Sequence, residues 1–307
     1  RRLVQGDAVS YPVSENSDRE LAVGLAAFVR APLSQVAEFL ASGDLIVQDS
    51  GVTAYGAIAE PAALSALRFS GSERDEAEGL VAASPGSRFN LSTAEIEALQ
   101  SLRASIGGPG RSSMVDLVSE EYRKLLRLRW QAYQQAGLAG IAPYARGGGA
   151  VMDPAGELRS AAGDADRVGG HGAELHAALL GYPVAQPPGV VSRCYWTKRQ
   201  ILHRPAFSLI HQMSVGEADL VIEVERYFYV GHSYNAGQII TGAVAYQDGV
   251  LVFATSRFST DEVLGVGNQL KRAMGRRQLG DEMRRRLDRL RSSVVSFPGR
   301  SPSVQGP

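Results

Sequence analysis

Four side chains able to donate, accept or carry a proton stand together at His232, Ser233, Tyr234 and Asn235, directly after Gly231. They interrupt "YFYVGHSYNAGQIITGAVAY" (227–246), which otherwise has the composition of β-strand. One reading is a turn: glycine and asparagine tolerate unusual backbone angles, and serine can bond its own backbone. The other places His232, Tyr234 and Asn235 at the rim of a cavity, where tyrosine offers an apolar body with a polar tip.

Other candidates lie on neighbouring strands. In "AFSLIHQMSV" alternation puts His211 on one face with Phe207, Leu209 and Met213. That suits a bonded core histidine, an anchor for a ligand's polar end, or an acid–base group paired with Tyr229, His232 or Tyr234. Tyr195 shares a face with Arg193 and Thr197, and Cys194 with Trp196; that run alone does not say which face is inward. Arg257 shares a face with Leu251, Phe253 and Thr255; an inward arginine there needs a carboxylate or a ligand. The ligand-binding candidates are thus Tyr195, His211, Tyr229, His232, Tyr234, Asn235 and Arg257, with no residue singled out as catalytic.

Several chemistries find no motif. His171 and His176 lack metal spacing and no H-E-x-x-H occurs, so no metal is expected. "GVGNQLKRAMG" (265–275) has Leu270 where a dinucleotide fingerprint needs its third glycine, and no cofactor is expected. There is no nucleophile motif. Cys194 is the only cysteine and reads as a small apolar filler. Formal net charge is zero over 307 residues, which argues against a dedicated nucleic-acid binder. No apolar run approaches the ~20 residues that span a bilayer. The first residue is Arg1, which a removed export signal would explain, as would a partial gene; a periplasmic or secreted location is weakly favoured.

The elements that must position these groups follow in order. "DRELAVGLAAFVRA" (18–31) reads as strand, and "PLSQVAEFLASG" (32–43) as a helix opened by Pro32 and stopped by Gly43. "DLIVQDSG" (44–51) and "VTAYGAI" (52–58) read as short strands. "NLSTAEIEALQSL" (90–102) carries a capping box in Ser92 and Glu95, and "IGGPGRSS" (106–113) is a breaker cluster. Residues 114–137 form the strongest helical pattern, closed by Gly137; 140–172 reads as mostly loop, and 173–183 as a short helix. From 190, five β-rich runs with short connectors predict an antiparallel meander. A long basic helix over 260–292 carries two apolar stripes. Val263, Val266, Leu270 and Met274 form the first, and Leu279, Met283, Leu287 and Leu290 the second. The five-residue step between them predicts a bend. Residues 293–307 read as a disordered tail.

This order, with the texture of "ELAVGLAAFVRAPLSQVAEFLAS" and "GVLVFATSRFSTDEVLGVGNQLKRAMG", resembles the START-like, or helix-grip, superfamily. The resemblance rests on 18–58 and 190–292, with 70–189 as a helical insertion; "GLAGIAPYARGGG" within it is similar to segments of bacterial proteins. It implies an α+β domain over 1–292 in which a curved antiparallel sheet wraps the last helix, leaving a mostly apolar cavity between them. Glycines inside strands, such as Gly242, would permit the curvature. Most members of the superfamily bind lipids, sterols or polyketide-like molecules, and some use the cavity as an active site.

The expected function is therefore non-catalytic binding or transport of a hydrophobic small molecule. A second reading is a cyclase, hydrolase or isomerase using a His/Tyr pair in the same cavity. A third is a module docking a partner or membrane through the insertion, motivated by Trp130, Arg123, Lys124, Arg127 and Arg129. The basic terminal helix separately suggests contact with an anionic membrane surface.

Overall fold

The computed structural model describes residues 3, 5–86, 88–103, 113–163, 172–184, 186–216 and 218–296. Its centre is an eight-stranded antiparallel sheet. The strands are β1 (Val9–Tyr11), β2 (Glu20–Val29), β3 (Val52–Ala57), β6 (Val191–Ile201), β7 (Arg204–Gly216), β8 (Leu220–Val230), β9 (Ala236–Tyr246) and β10 (Gly249–Ser259). They lie in the order β1-β2-β10-β9-β8-β7-β6-β3. The meander from β6 to β10 is as expected, and the N-terminal strands add to its two ends. Val29 of β2 lies opposite Val250 of β10, and Val52 of β3 opposite Arg199 of β6. A two-stranded β4–β5 hairpin (Tyr144–Ala145 and Val151–Met152) stands apart.

Helices cover both faces. On one lie α1 (Leu33–Ser42), the single turn α2 (Asp44–Val47) and the long α8 (Asn268–Ser296). α1 buries Val36, Phe39 and Leu40 and ends at Gly43, whose φ of 82° is left-handed. Asp44–Val47 is helical where a strand was expected. Leu45 and Ile46 are adjacent and both buried, which a half-buried strand would not allow. α8 buries Leu279, Met283, Leu287, Leu290 and Val294 on the sheet, an α+β helix-grip arrangement.

On the other face pack α3 (Arg74–Val81), α4 (Thr93–Arg103), α5 (Met114–Ala136), α6 (Pro154–Ala161) and α7 (Gly172–Gly181). α5 lays Val118, Tyr122, Leu125, Leu126, Trp130 and Tyr133 into the cluster that holds Phe207, Leu209, Phe228 and Tyr229. The capping box of α4 forms: Glu95 Oε2 accepts from the Ser92 amide at 2.7 Å. Within 140–172, α6 and the β4–β5 hairpin correct the loop expectation. The missed signal was Asp153–Pro154: the aspartate side chain caps the Ala155 amide at 3.0 Å, and proline takes the first helical position. His171, residues 106–112 and 297–307 lie outside the described residues; α8 itself runs past the expected stop to Ser296.

The expected bend in α8 is absent. Its helix is continuous, so the five-residue step from Met274 to Leu279 turns the first stripe about 140° away from the second. Leu270 and Met274 are accordingly 68% and 64% exposed, while Val263 and Val266 lie before the helix, which opens at Asn268 and not at the expected Thr260. The basic row is mostly turned to protein partners. Arg272 and Arg276 pair with Glu15, Arg284 with Asp281, Arg286 with Glu225 and Arg289 with Asp49.

Strand glycines serve a different end from the one expected. Tyr11, Trp196, Phe258 and Phe253 lie directly opposite Gly24, Gly56, Gly237 and Gly242. Each ring covers its glycine: a Cβ on Gly242 would stand 2.0 Å from Phe253 Cζ. Gly242→Val should therefore destabilise the protein by about 1–3 kcal/mol through overpacking. Adding Phe253→Ala should recover part of that loss in urea denaturation.

Candidate ligand-binding site

The seven residues proposed from sequence do not converge on one cavity. Tyr195 lies on the α8 face with its hydroxyl donating to the Ser42 carbonyl at 3.3 Å, beneath α1. His211 and Tyr229 point to the opposite face, under α5. Tyr229 exchanges a hydrogen bond with Tyr122 at 2.7 Å, and the Arg129 guanidinium lies 4.5 Å from its ring centre. Arg257 is buried and finds its carboxylate in Glu20, at 2.7 Å.

Residues 231–235 are chiefly a structural turn clamped by the insertion. Asn90 donates to the carbonyls of Val230 and Tyr234, at 2.8 and 2.7 Å. Arg146 donates to the side-chain oxygens of Asn90 and Asn235, at 2.8 and 2.9 Å, and pairs with Asp261. His232 is buried; its Nε2 donates to the Pro205 carbonyl at 3.3 Å, which leaves Nδ1 to accept from Ser233 at 2.7 Å. Burial, then Arg204, holds His232 down to about 4. Only Tyr234 turns toward α8, its ring 5.1 Å from that of Phe258.

His211 belongs to a hydrogen-bonded row that the sequence reading missed. Its Nδ1 meets the Tyr133 hydroxyl at 2.9 Å and its Nε2 meets Ser192 Oγ at 2.5 Å. Burial, then the nearby Arg226 cation, depresses His211 to about 3. A serine–histidine pair backed by a cation instead of a carboxylate disfavours the imidazolium that nucleophilic catalysis needs. The expected His/Tyr convergence is corrected accordingly: His211 and Tyr229 face the insertion, Tyr234 faces α8.

The space between sheet and α8 is also corrected. In place of a large apolar hollow there is a cavity of about 30 Å³, lined by Tyr227, Tyr234, Ser256, Phe258, Leu279 and Met283 together with charged groups. Those groups are Arg199, Arg286, Arg289, Asp49 and Glu282. Arg199 bridges Glu282 at 2.7 Å and Asp49 at 3.5 Å; Arg289 reaches Asp49 at 3.4 Å. Behind them Glu225, fully buried, pairs with Arg286 and accepts from the Tyr227 hydroxyl at 3.1 Å. Burial pulls Arg286 down, but Glu225 and Glu223 outweigh it and leave its pKa raised. Glu223 sits well above the carboxylate range, from burial first and then repulsion by Glu225. Charged side chains fill the volume that the resemblance assigned to ligand.

A larger opening lies at the end of this cavity. A groove of about 300 Å³ runs between the first turns of α8, the β6–β7 hairpin and the β8–β9 turn. Leu21, Ile201, Leu202, Val263 and Met274 form its apolar walls, and Tyr234 and Leu279 border both it and the inner cavity. The hairpin tip is strained: Leu202 and His203 have φ of 50° and 65°, where asparagine and glycine are usual. Leu202 is 73% exposed in that costly conformation. Such outliers cluster at functional sites. Among the described residues no group of three or more His, Cys, Asp or Glu is placed to hold a metal, and no helix is long and apolar enough to cross a membrane.

No family model matches the chain, and neither does any curated protein. Among solved structures, the crystal structure of Ara h 8.0201 superposes with a TM-score of 0.23 at 12% identity, over 45% of this chain and 90% of that one. The di-domain ARO/CYC StfQ from the steffimycin biosynthetic pathway superposes with a TM-score of 0.27 at 12% identity, over 89% of this chain and 98% of that one. At these TM-scores neither carries weight for function.

Two outcomes follow from the buried charges. Arg286→Met should cost about 3–5 kcal/mol in urea denaturation by stranding Glu225, and Glu225→Leu added to it should restore most of the loss. Below its ordinary value near 6.5 the unfolded chain protonates His211, which the folded protein resists down to about 3, so stability falls as pH drops through that window. The urea midpoint of His211→Gln should fall less than that of the parent between pH 7 and pH 5.

Proposed function

We propose that the protein binds a hydrophobic small molecule, without chemical conversion, in the groove at the open end of the sheet–helix grip. The observation that carries this reading is the apolar wall built by Leu202 and Met274, two exposed side chains facing one groove. Pockets for small ligands are mostly apolar with a few placed polar groups, and here Tyr234 supplies the polar tip. Leu202 projects from a strained hairpin, and the phase step in α8 turns the Met274 stripe off the core. Both features line the groove.

The His/Tyr enzyme reading is less well supported, because its groups lie on opposite faces of the sheet. Docking of a membrane through the basic helix is likewise weakened by the pairing of most of its arginines. Docking through the insertion is weakened too: Trp130 and Arg129 are buried against the sheet.

Nile red, a neutral fluorophore, tests the groove. The parent protein should shift its emission to the blue, and Met274→Asp should weaken binding roughly tenfold, the worth of one buried side chain. Val151→Asp, at an exposed apolar residue elsewhere, should leave binding unchanged. Equal binding by the parent and Met274→Asp would remove the groove as the site.

A further inference from the structure

The inner cavity adds a second half to the groove, and the inference from it rests on the groove reading. Its surplus is in donors. Ser256 Oγ and the Nε atoms of Arg199, Arg286 and Arg289 are buried and have no hydrogen-bond partner among the described residues. Ser256 is fully buried and Arg286 only 6% exposed, and all four residues line the cavity. The carboxylates that line it, Asp49 and Glu282, are already held by Arg199 and Arg289, and Arg286 is held from the sheet side by Glu225.

Buried donors are costly when left unmatched. A cavity of about 30 Å³ holds about two water-sized groups, at ~10–15 Å³ for each. That is room for the oxygens of one carboxylate, or for a ketone oxygen, and not for an alkyl chain. Tyr234 and Leu279 wall both spaces, so the cavity adjoins the inner end of the groove. An ammonium end would set a further positive charge beside Arg199, Arg286 and Arg289.

We infer that the ligand is an amphiphile whose apolar body lies in the groove and whose acceptor end, a carboxylate or ketone oxygen, enters the cavity beside Ser256, Arg286 and Arg289. Selectivity then comes from the cavity and most of the hydrophobic contact from the groove. Arg289 is the residue to vary, because it reaches the cavity from α8 while its partner Asp49 keeps Arg199.

Displacement of Nile red by decanoate, 2-undecanone and decylamine tests this in the full chain. Decanoate or 2-undecanone should displace the dye at concentrations at least tenfold below those of decylamine. A lead by decanoate assigns a carboxylate, and a lead by 2-undecanone a neutral carbonyl. Arg289→Met should remove the preference, and Ser256→Ala should reduce it. Equal displacement by the three compounds, or a preference that survives both substitutions, would overturn the inference while leaving the groove intact: the cavity would then hold water only. If the parent failed to bind Nile red the groove reading would fall, and calorimetric titration with decanoate would decide the anchor, absence of heat overturning it as well.

Discussion

The contact on which the arrangement depends is the buried pair between Arg286 of α8 and Glu225 of β8. A hydrophobic stripe would hold a helix against a sheet without fixing its rotation or its depth. A buried ion pair does fix them, because any slide that separates the charges leaves both in a low-dielectric interior. Glu282 with Arg199 and Arg289 with Asp49 extend the clasp to β6 and to the turn before β3. With rotation set this way, Leu279, Met283 and Leu287 must face the sheet, and Leu270 and Met274 must face away from it. The apolar groove and the charged cavity are thus two results of one registration. Such pairs are weak contributors to net stability and strong discriminators among arrangements, which is their role here.

Much of the architecture was legible because it rests on local signals. Short connectors between β-rich runs dictate antiparallel neighbours, and the capping box at Ser92 and the stop at Gly137 placed α4 and α5. The faces of β6 and β7 also followed from alternation: Tyr195 and Thr197 lie opposite Cys194 and Trp196 across the sheet. What alternation could not say was what covers each face. His211 sits where its period puts it, but the groups above it are Tyr133 of α5 and Tyr182 just past α7, 78 and 29 residues away along the chain.

The candidate site was less legible for a related reason. A charged residue in a strand reads as surface or rim, whereas Glu223, Glu225 and Arg226 are all buried, because both faces of β8 are covered. Glu225 pairs with Arg286 of α8, Glu223 accepts from Gln212 at 3.1 Å, and Arg226 meets α7 through the Leu179 carbonyl at 2.6 Å. Basic residues along α8 read as a solvated face for the same reason, and the partners that turn them inward come from distant strands. Tyr234 was the one proposed residue to reach the cavity. Leu202 and His203 form the hairpin tip, and leucine is no turn signal.

The pairing of β2 with β10 has a consequence for biosynthesis. β2 is buried along nearly its whole length, yet its main partner is made some 220 residues after it. β3 waits likewise for β6. The meander can assemble from neighbours as it emerges, but β2 and β3 must be kept from foreign edges until β10 and β6 have been made. Slow closure of the sheet is the cost of a helix grip whose outer strands pair with partners far along the chain.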